Sequence, residues 1–445
     1  MDFEDENNKE VADYQKIRKI SNWHIVPEVI NRQIGSNPLF GRRFYSSLYA
    51  VEQFQLMYKL YPPLSSITNS PHDYETIDVV NFNHKGNLLA CTVGDEISIW
   101  DWAARKNSYF FTNEDVCVLC TKWLLLENCI AFSDNYSQVS LLDIKCDVLT
   151  EIATHDSCES SYALAVHPET PHVILSAGTD SKVLSIDIRE SKSKELLVVK
   201  QGALKLKVAL FSINSNPSNS NEFCISGRSY CVMIYDRRKV SKPLCKLWPK
   251  CVKNDEHVSI MSAVYNYNGT EILATYSNKK LYLFNKLITS YGDYGHMYQN
   301  HVYESSMIGG NFFGPKSEYV ISGSGNNIFI WDKNSESVIQ YMTGDSEIVI
   351  CLDSHPHIPI LATSGHDKNI KLWVPSKGEL SVMQTSGNHF CVDPLHYGPN
   401  SNQDEDDTDS SHDEDSISSS SSSDDFIDDR LSECGDIERT QCLPS

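Results

Sequence analysis

Basic residues are scarce in this chain. Of 445 residues, 38 are lysine or arginine against 59 acids, which gives a formal charge of −21 at neutral pH. Affinity for a phosphate backbone rests largely on Lys and Arg, so this balance argues against nucleic acid as a direct principal ligand while leaving room for a local basic patch. Long apolar runs are missing too. None nears the ~20 residues that cross a bilayer, and Met1-Asp2-Phe3-Glu4-Asp5 is acidic where a secretion signal is basic and then apolar. The expectation is an intracellular protein, in nucleus and cytoplasm, with no membrane partner and with its 14 cysteines reduced.

Motifs that carry chemistry are equally sparse. No nucleophile elbow, phosphate-cradling glycine loop or His-Glu-x-x-His occurs, and Gly309-Gly310 falls in a strand pattern instead of opening a helix. Cys117-x-x-Cys120 is a close cysteine pair, but a zinc site needs a second pair or two matching histidines, which neighbouring Cys129 alone does not supply. These cysteines read as buried strand residues. Asp180 and Asp367 sit in turns, where an aspartate more often bonds N–H groups of turn and strand than it transfers protons. No polar constellation converging on a central channel can be read from the sequence. No catalytic residue, metal or cofactor is therefore expected, and the chain reads as a non-enzyme.

What is present is a period. Apolar or aromatic residues that close a strand recur at Trp100, Leu142, Ile186, Tyr235, Phe284, Trp331 and Trp373, at gaps of 42, 44, 49, 49, 47 and 42 residues. Most are followed by Asp or Asn (Asp101, Asp143, Asp187, Asp236, Asn285, Asp332), and a repeat of about 40–45 residues ending in Trp-Asp marks a WD-type propeller blade. The expected fold is all-β: a seven-bladed WD-repeat β-propeller over residues 52–376, adding blades around a channel instead of enlarging one core.

The sixth repeat shows the unit plainly. Ser306–Phe313, Tyr319–Ser322, Asn327–Trp331 and Val338–Met342 read as four strands separated by Gly314-Pro315, Gly323-Ser324-Gly325 and Lys333-Asn334-Ser335. The seventh repeats the first three, at Ile348–Asp353, Ile360–Ser364 and Asn369–Trp373, and then meets Pro375 with no outer strand. Phe54-Gln55-Leu56-Met57-Tyr58-Lys59-Leu60 alternates like a strand ahead of the first blade, so residues 52–60 are expected to return and close the ring.

Three flanking segments read differently. Residues 1–13 are an acidic, disordered start. Residues 14–51 place Ile25, Val29, Ile30, Phe40, Phe44, Leu48 and Val51 at helical spacing, either as a cover on the ring or as a docking element. Residues 377–445 form a disordered acidic, Ser-rich tail; 401–430 alone hold twelve acids, one arginine and the run Ser418–Ser423.

Two arginines stand out by position. Asp187 is followed by Arg189, and Asp236 by Arg238, 49 residues apart in both cases. Equivalent positions of neighbouring blades lie side by side on one rim, so two planar cations would face outward together and suit carboxylates or carbonyls of a partner. The competing reading is a local salt bridge of each arginine to its own aspartate. Arg228, in Gly227-Arg228-Ser229, falls in a turn between second and third strands and by itself reads as an exposed turn residue.

At these residues the chain resembles the WD-repeat substrate receptors of cullin 4 RING ubiquitin ligases, the DDB- and cullin-4-associated factors, whose mark is a doubled Trp-Asp-x-Arg box in adjacent blades. Phe312-Phe313-Gly314-Pro315-Lys316-Ser317-Glu318-Tyr319-Val320-Ile321-Ser322-Gly323-Ser324 and His355-Pro356-His357-Ile358-Pro359-Ile360-Leu361-Ala362-Thr363-Ser364-Gly365 are similar to that family's sixth and seventh blades, with Leu175-Ser176-Ala177-Gly178 and Trp100-Asp101-Trp102 in support. The likeness runs from about Trp23 to Pro375. It implies that Asp187, Arg189, Asp236 and Arg238 form two boxes for the adaptor, the damage-specific DNA-binding-protein large subunit. It further implies that the helices before Val51 dock the same adaptor, that a cullin 4 RING assembly follows, and that an unnamed target protein binds the other face, where Arg228 is the candidate contact. Ile186 and Tyr235 stand where the box has Trp, which keeps open an alternative: a scaffold of a chromatin or RNA-processing complex with no ligase role.

Overall fold

In a computed structural model of the chain, residues 45–62, 76–112, 116–126, 128–156, 162–190, 192–201, 204–252, 257–287, 293–299, 309–346 and 348–376 are described. They form seven four-stranded antiparallel sheets in sequence order, a seven-bladed β-propeller, plus one two-stranded hairpin between the third and fourth blades. The fourth blade is typical: Leu210–Ser215 is innermost, followed by Glu222–Gly227, Val232–Asp236 and Cys245–Leu247. The acidic start, most of the helical segment and the Ser-rich tail lie outside the described residues.

Burial explains the strand sequences. A second strand is covered on both faces by its neighbours, so Leu89–Val93, Glu222–Gly227 and Leu361–Gly365 are buried at every residue and read as continuous apolar or small runs. An outer strand has one wet face, and Lys106–Thr112 alternates between exposed and half-buried positions. Apolar clusters fill the interfaces between blades: Val183, Phe223 and Tyr235 between the third and fourth, Ile234, Ile272 and Phe284 between the fourth and fifth. Each such side chain contributes about 1.5–3 kcal/mol when removed from water.

Closure is made by the N-terminal strand. Phe54–Leu60 pairs antiparallel with Ile370–Pro375, from Phe54 opposite Pro375 to Leu60 opposite Ile370, with a register shift between Leu56 and Tyr58. It supplies the fourth strand of the seventh blade. Leu60 then packs with Ile77 and Leu89 of the first blade and Ile370 and Leu372 of the seventh. Just ahead, Ser47 caps the short helix Leu48–Glu52 by accepting from the Ala50 N–H. Tyr45, Val51 and Phe54 pack on Phe313 and Tyr319 of the sixth blade, and the Tyr45 hydroxyl donates to the His355 carbonyl at 3.1 Å. The described end of the helical segment is thus a cover on the sixth and seventh blades; Ile25, Val29, Ile30, Phe40 and Phe44 lie outside the described residues.

Some boundaries shift. Gly323 and Ser324 belong to the strand Tyr319–Ser324, and the turn is Gly325-Asn326, with Gly325 at φ 57°. The first strand of that blade is Asn311–Phe313; residues 301–308 lie outside the described set, and Gly309-Gly310 precede the strand instead of lying in it. The Gly310 N–H reaches the Thr275 hydroxyl at 2.7 Å, and a Cβ at this position would lie 2.1 Å from Leu281 Cδ2, so the residue must be glycine. In the seventh blade the three strands are Val349–Ser354, Leu361–Gly365 and Ile370–Pro375.

Candidate docking rim

Because strands alternate in direction, every third strand of a blade ends on the face where the first strand also ends. Asp187 ends Lys182–Asp187 and Asp236 ends Val232–Asp236, so both Asp-x-Arg turns lie on that face, in adjacent blades. The turn chemistry recurs around the ring. The aspartate or asparagine oxygen accepts the N–H two residues on: Asp143 from Lys145 at 2.9 Å, Asp187 from Arg189 at 3.1 Å, Asp236 from Arg238 at 2.9 Å, Asn285 from Leu287 at 2.9 Å and Asp332 from Asn334 at 3.0 Å. The acid or amide is therefore what the turn requires. The side chain two residues later is free to vary, since Lys145, Leu287 and Asn334 hold the same place as the arginines.

Both arginines fold onto their own aspartates. Arg189 Nε donates to Asp187 Oδ1 at 2.9 Å and its Nη2 to Oδ2 at 2.7 Å; Arg238 repeats this on Asp236 at 3.0 and 2.6 Å. The hydrogen bonds from the guanidinium hold each carboxyl down to about 2. The fork does not consume the cation. Two of five N–H donors are engaged, and the side chains remain 64% and 68% exposed. Each rim position thus offers a guanidinium edge, oriented by its own aspartate, to a partner's carbonyl or carboxylate oxygen.

The mouth of the central channel opens on the same face, a cavity of about 250 Å³ lined among others by Asn81, Lys122, Asn214, Ser215, Asp353 and Ser354. Part of this polarity is structural. Inner-strand N–H groups have no strand on their channel side, and side chains of the preceding blade satisfy them: Asp353 accepts from the Phe82 N–H at 2.7 Å and Asn214 from the Tyr265 N–H at 3.1 Å. Burial raises the Asp353 carboxyl to about 6. This constellation, absent from the sequence reading, needs the register of several inner strands before it can be seen.

Arg228 lies across the molecule, in the turn between Glu222–Gly227 and Val232–Asp236, exposed, with its N–H on the Ala209 carbonyl at 2.8 Å. The five-residue strand to Asp236 separates it from the rim by about 17 Å at ~3.3 Å per residue. The turn acids are bound structurally. Asp180 accepts from His155 at 3.0 Å and from the Lys182 N–H at 3.0 Å, while His155 Nε2 meets the Ser176 hydroxyl at 2.9 Å. Asp367 pairs with Lys371 at 2.7 Å and with Ser346; burial raises neighbouring Asp345 to about 6, with Lys371 Nζ 3.3 Å from its carboxylate. Cys117 is exposed rather than buried, and Cys120 and Cys129 are half-buried; all three are free thiols. Among the described residues, no three His, Cys, Asp or Glu side chains gather as a metal would require, and no helix is long and apolar enough to cross a membrane.

Comparison with known proteins agrees with the fold. The WD domain, G-beta repeat family matches residues 336–374. WD and tetratricopeptide repeats protein 1 of Homo sapiens is 44% identical over 66 residues, 15% of this chain and 10% of that protein. WD repeat protein iqw1 of Schizosaccharomyces pombe is 42% identical over 77 residues, 17% and 10%. DDB1- and CUL4-associated factor 6 of Homo sapiens is 41% identical over 81 residues, 18% and 9%. The matches thus span about a tenth of the length of each relative.

Proposed function

We propose that the chain is a non-catalytic substrate receptor of a cullin 4 RING ubiquitin ligase. In this reading the Asp187–Arg189 and Asp236–Arg238 forks, with the helices before Val51, dock the damage-specific DNA-binding-protein large subunit. The opposite face, including Arg228, holds a target protein. The receptor then acts by raising the target's local concentration near the ubiquitin-transferring machinery, with no chemistry of its own, in nucleus and cytoplasm. Within the family, the runs in the sixth and seventh blades resemble the eighth-numbered member.

The observation that carries the reading is the pair of forks in adjacent blades at a place where the turn tolerates Leu287 or Asn334. A residue that the local fold does not require, repeated on one rim, is accounted for by a partner. The similarity over 81 residues to DDB1- and CUL4-associated factor 6 supports the same direction. Other matches are named only as WD-repeat proteins, and Ile186 and Tyr235 replace the Trp of the box, which favours the second reading, a chromatin or RNA-processing scaffold. Copurification separates the two: tagged full-length chain brings down adaptor and cullin if it is a receptor, and neither if it is a scaffold.

A further inference from the structure

Between the third and fourth blades the chain makes a small hairpin, Lys200–Gln201 paired with Leu206–Lys207. It lies where an outer strand returns to the next inner strand, the face of Arg228 and not that of the arginine forks. Val199 and Val208, which flank the hairpin and are joined by the Val208 N–H on the Val199 carbonyl at 3.1 Å, pack with Tyr230 and Trp248, whose rings meet edge-on at 6.1 Å. The hairpin is thereby tied to the turn that carries Arg228.

Its composition runs against that of the chain. Residues 196–221 contain no acid, in a sequence with 59 of them. Lys200, Lys205, Lys207 and Arg228 are exposed, and none has an ion-pair partner among the described residues. Leu204 and Leu206 stand 83% and 65% exposed, Leu204 being the most exposed large apolar side chain among the described residues. Folding gains nothing from leaving two leucines in water between three unpaired lysines. The edges of a two-stranded ribbon also keep N–H and C=O groups available for another strand.

We infer that this hairpin and Arg228 form a docking site for an extended acidic segment of a partner protein whose carboxylates meet Lys200, Lys205, Lys207 and Arg228 and whose apolar side chains cover Leu204 and Leu206. Charge complementarity chooses the occupant: an acid-free projection that sets Lys200, Lys205, Lys207 and Arg228 beside two exposed leucines attracts carboxylates and covers apolar side chains together. This deepens the receptor reading, and rests on it, by giving the target's recognised element a chemistry.

The probe is a random-peptide phage library panned against the full-length chain. Enriched peptides should be dominated by Asp and Glu interspersed with Leu, Ile or Val, and their retention should fall at high salt. K200E/K205E/K207E should lower retention about tenfold or more, as should L204S/L206S, each with an unchanged circular dichroism spectrum. R189A/R238A should retain the peptides, and the hairpin variants should keep adaptor binding. Enrichment without acidic bias, or equal retention by K200E/K205E/K207E, overturns the site. Loss of adaptor binding by wild type with peptide capture intact would sink the ligase reading alone.

Discussion

Arg238 holds Asp236 through both carboxylate oxygens, at 3.0 and 2.6 Å, and still keeps most of its surface in water. The same geometry in Arg189 and Asp187 one blade away makes two cations of fixed orientation on one rim. A partner that meets them finds each guanidinium already turned outward by its own carboxylate.

The forks should matter little to folding. Exposed pairs contribute about 0–1 kcal/mol, and the turn is held by the aspartates. R189A/R238A is expected to melt within a degree or two of wild type by calorimetry. D187A/D236A, which removes the acceptors of the turn N–H groups, should cost more, about 1 kcal/mol for each hydrogen-bonded acceptor.

Closure should be worth far more. Deleting residues 54–60 leaves Ile370–Pro375 as an edge and exposes the cluster around Leu60, Ile77 and Leu372. A sharp fall in melting temperature is the expected result. The single change Phe54→Ala, which empties a place against Phe313 at a ring distance of 5.5 Å, should cost about 3–5 kcal/mol in urea unfolding.

Gly227 should not tolerate a methyl group. A Cβ there would lie 2.0 Å from the Ala209 carbonyl oxygen and 2.7 Å from Leu210 Cα, both backbone atoms that cannot swing aside. G227A is expected to destabilise the fourth blade by about 1–3 kcal/mol and to displace the adjoining Arg228 turn, visible as a lowered urea midpoint.

His355 should make stability depend on pH. Its Nδ1 accepts the N–H groups of His357 and Ile358 and its Nε2 donates to the Gly86 carbonyl, so the ring is needed neutral; burial brings it to about 4. The unfolded chain takes up a proton near 6.5 that the folded chain refuses until about 4, so stability drops as pH falls between those values, by up to about 3 kcal/mol. Asp345 and Asp353, raised to about 6, act with the opposite sign in an overlapping window. Comparison with H355F isolates the histidine: the stability gap between wild type and variant should narrow from pH 7 to 4.5, and a constant gap would contradict it.

The architecture was legible because a propeller repeats: Trp100, Trp331 and Trp373 mark one place in a blade, and one-residue errors at strand ends do not disturb the count. The alternation in Phe54–Leu60 was legible at its ends, where Phe54 and Leu60 are buried, but it misplaces Leu56, which is exposed beside the register shift between Leu56 and Tyr58. Asp187, Arg189, Asp236 and Arg238 were found by their common spacing, but sequence could not separate the acid that makes the turn from the arginine that it does not need. That distinction requires seeing Leu287 and Asn334 in the same hydrogen-bonded turn. The channel group of Asn81, Lys122, Asn214 and Asp353 was illegible because it is assembled from strands far apart in the chain. The hairpin at Lys200–Lys207 was missed because its two-residue strands are too short to show alternation, although the acid-free stretch around it was a usable signal.

The most direct measurement of the central claim is the affinity of purified full-length chain for the damage-specific DNA-binding-protein large subunit, wild type against R189A/R238A and R189K/R238K, by biolayer interferometry with circular dichroism alongside. Two partly desolvated arginines at an interface centre contribute on the order of 2 kcal/mol or more. Wild type should therefore bind, the alanine variant should lose about thirtyfold or more, and the lysine variant, which keeps charge without the fork, should fall between them with all three spectra superimposed. Equal binding by wild type and R189A/R238A would contradict the assignment of this rim.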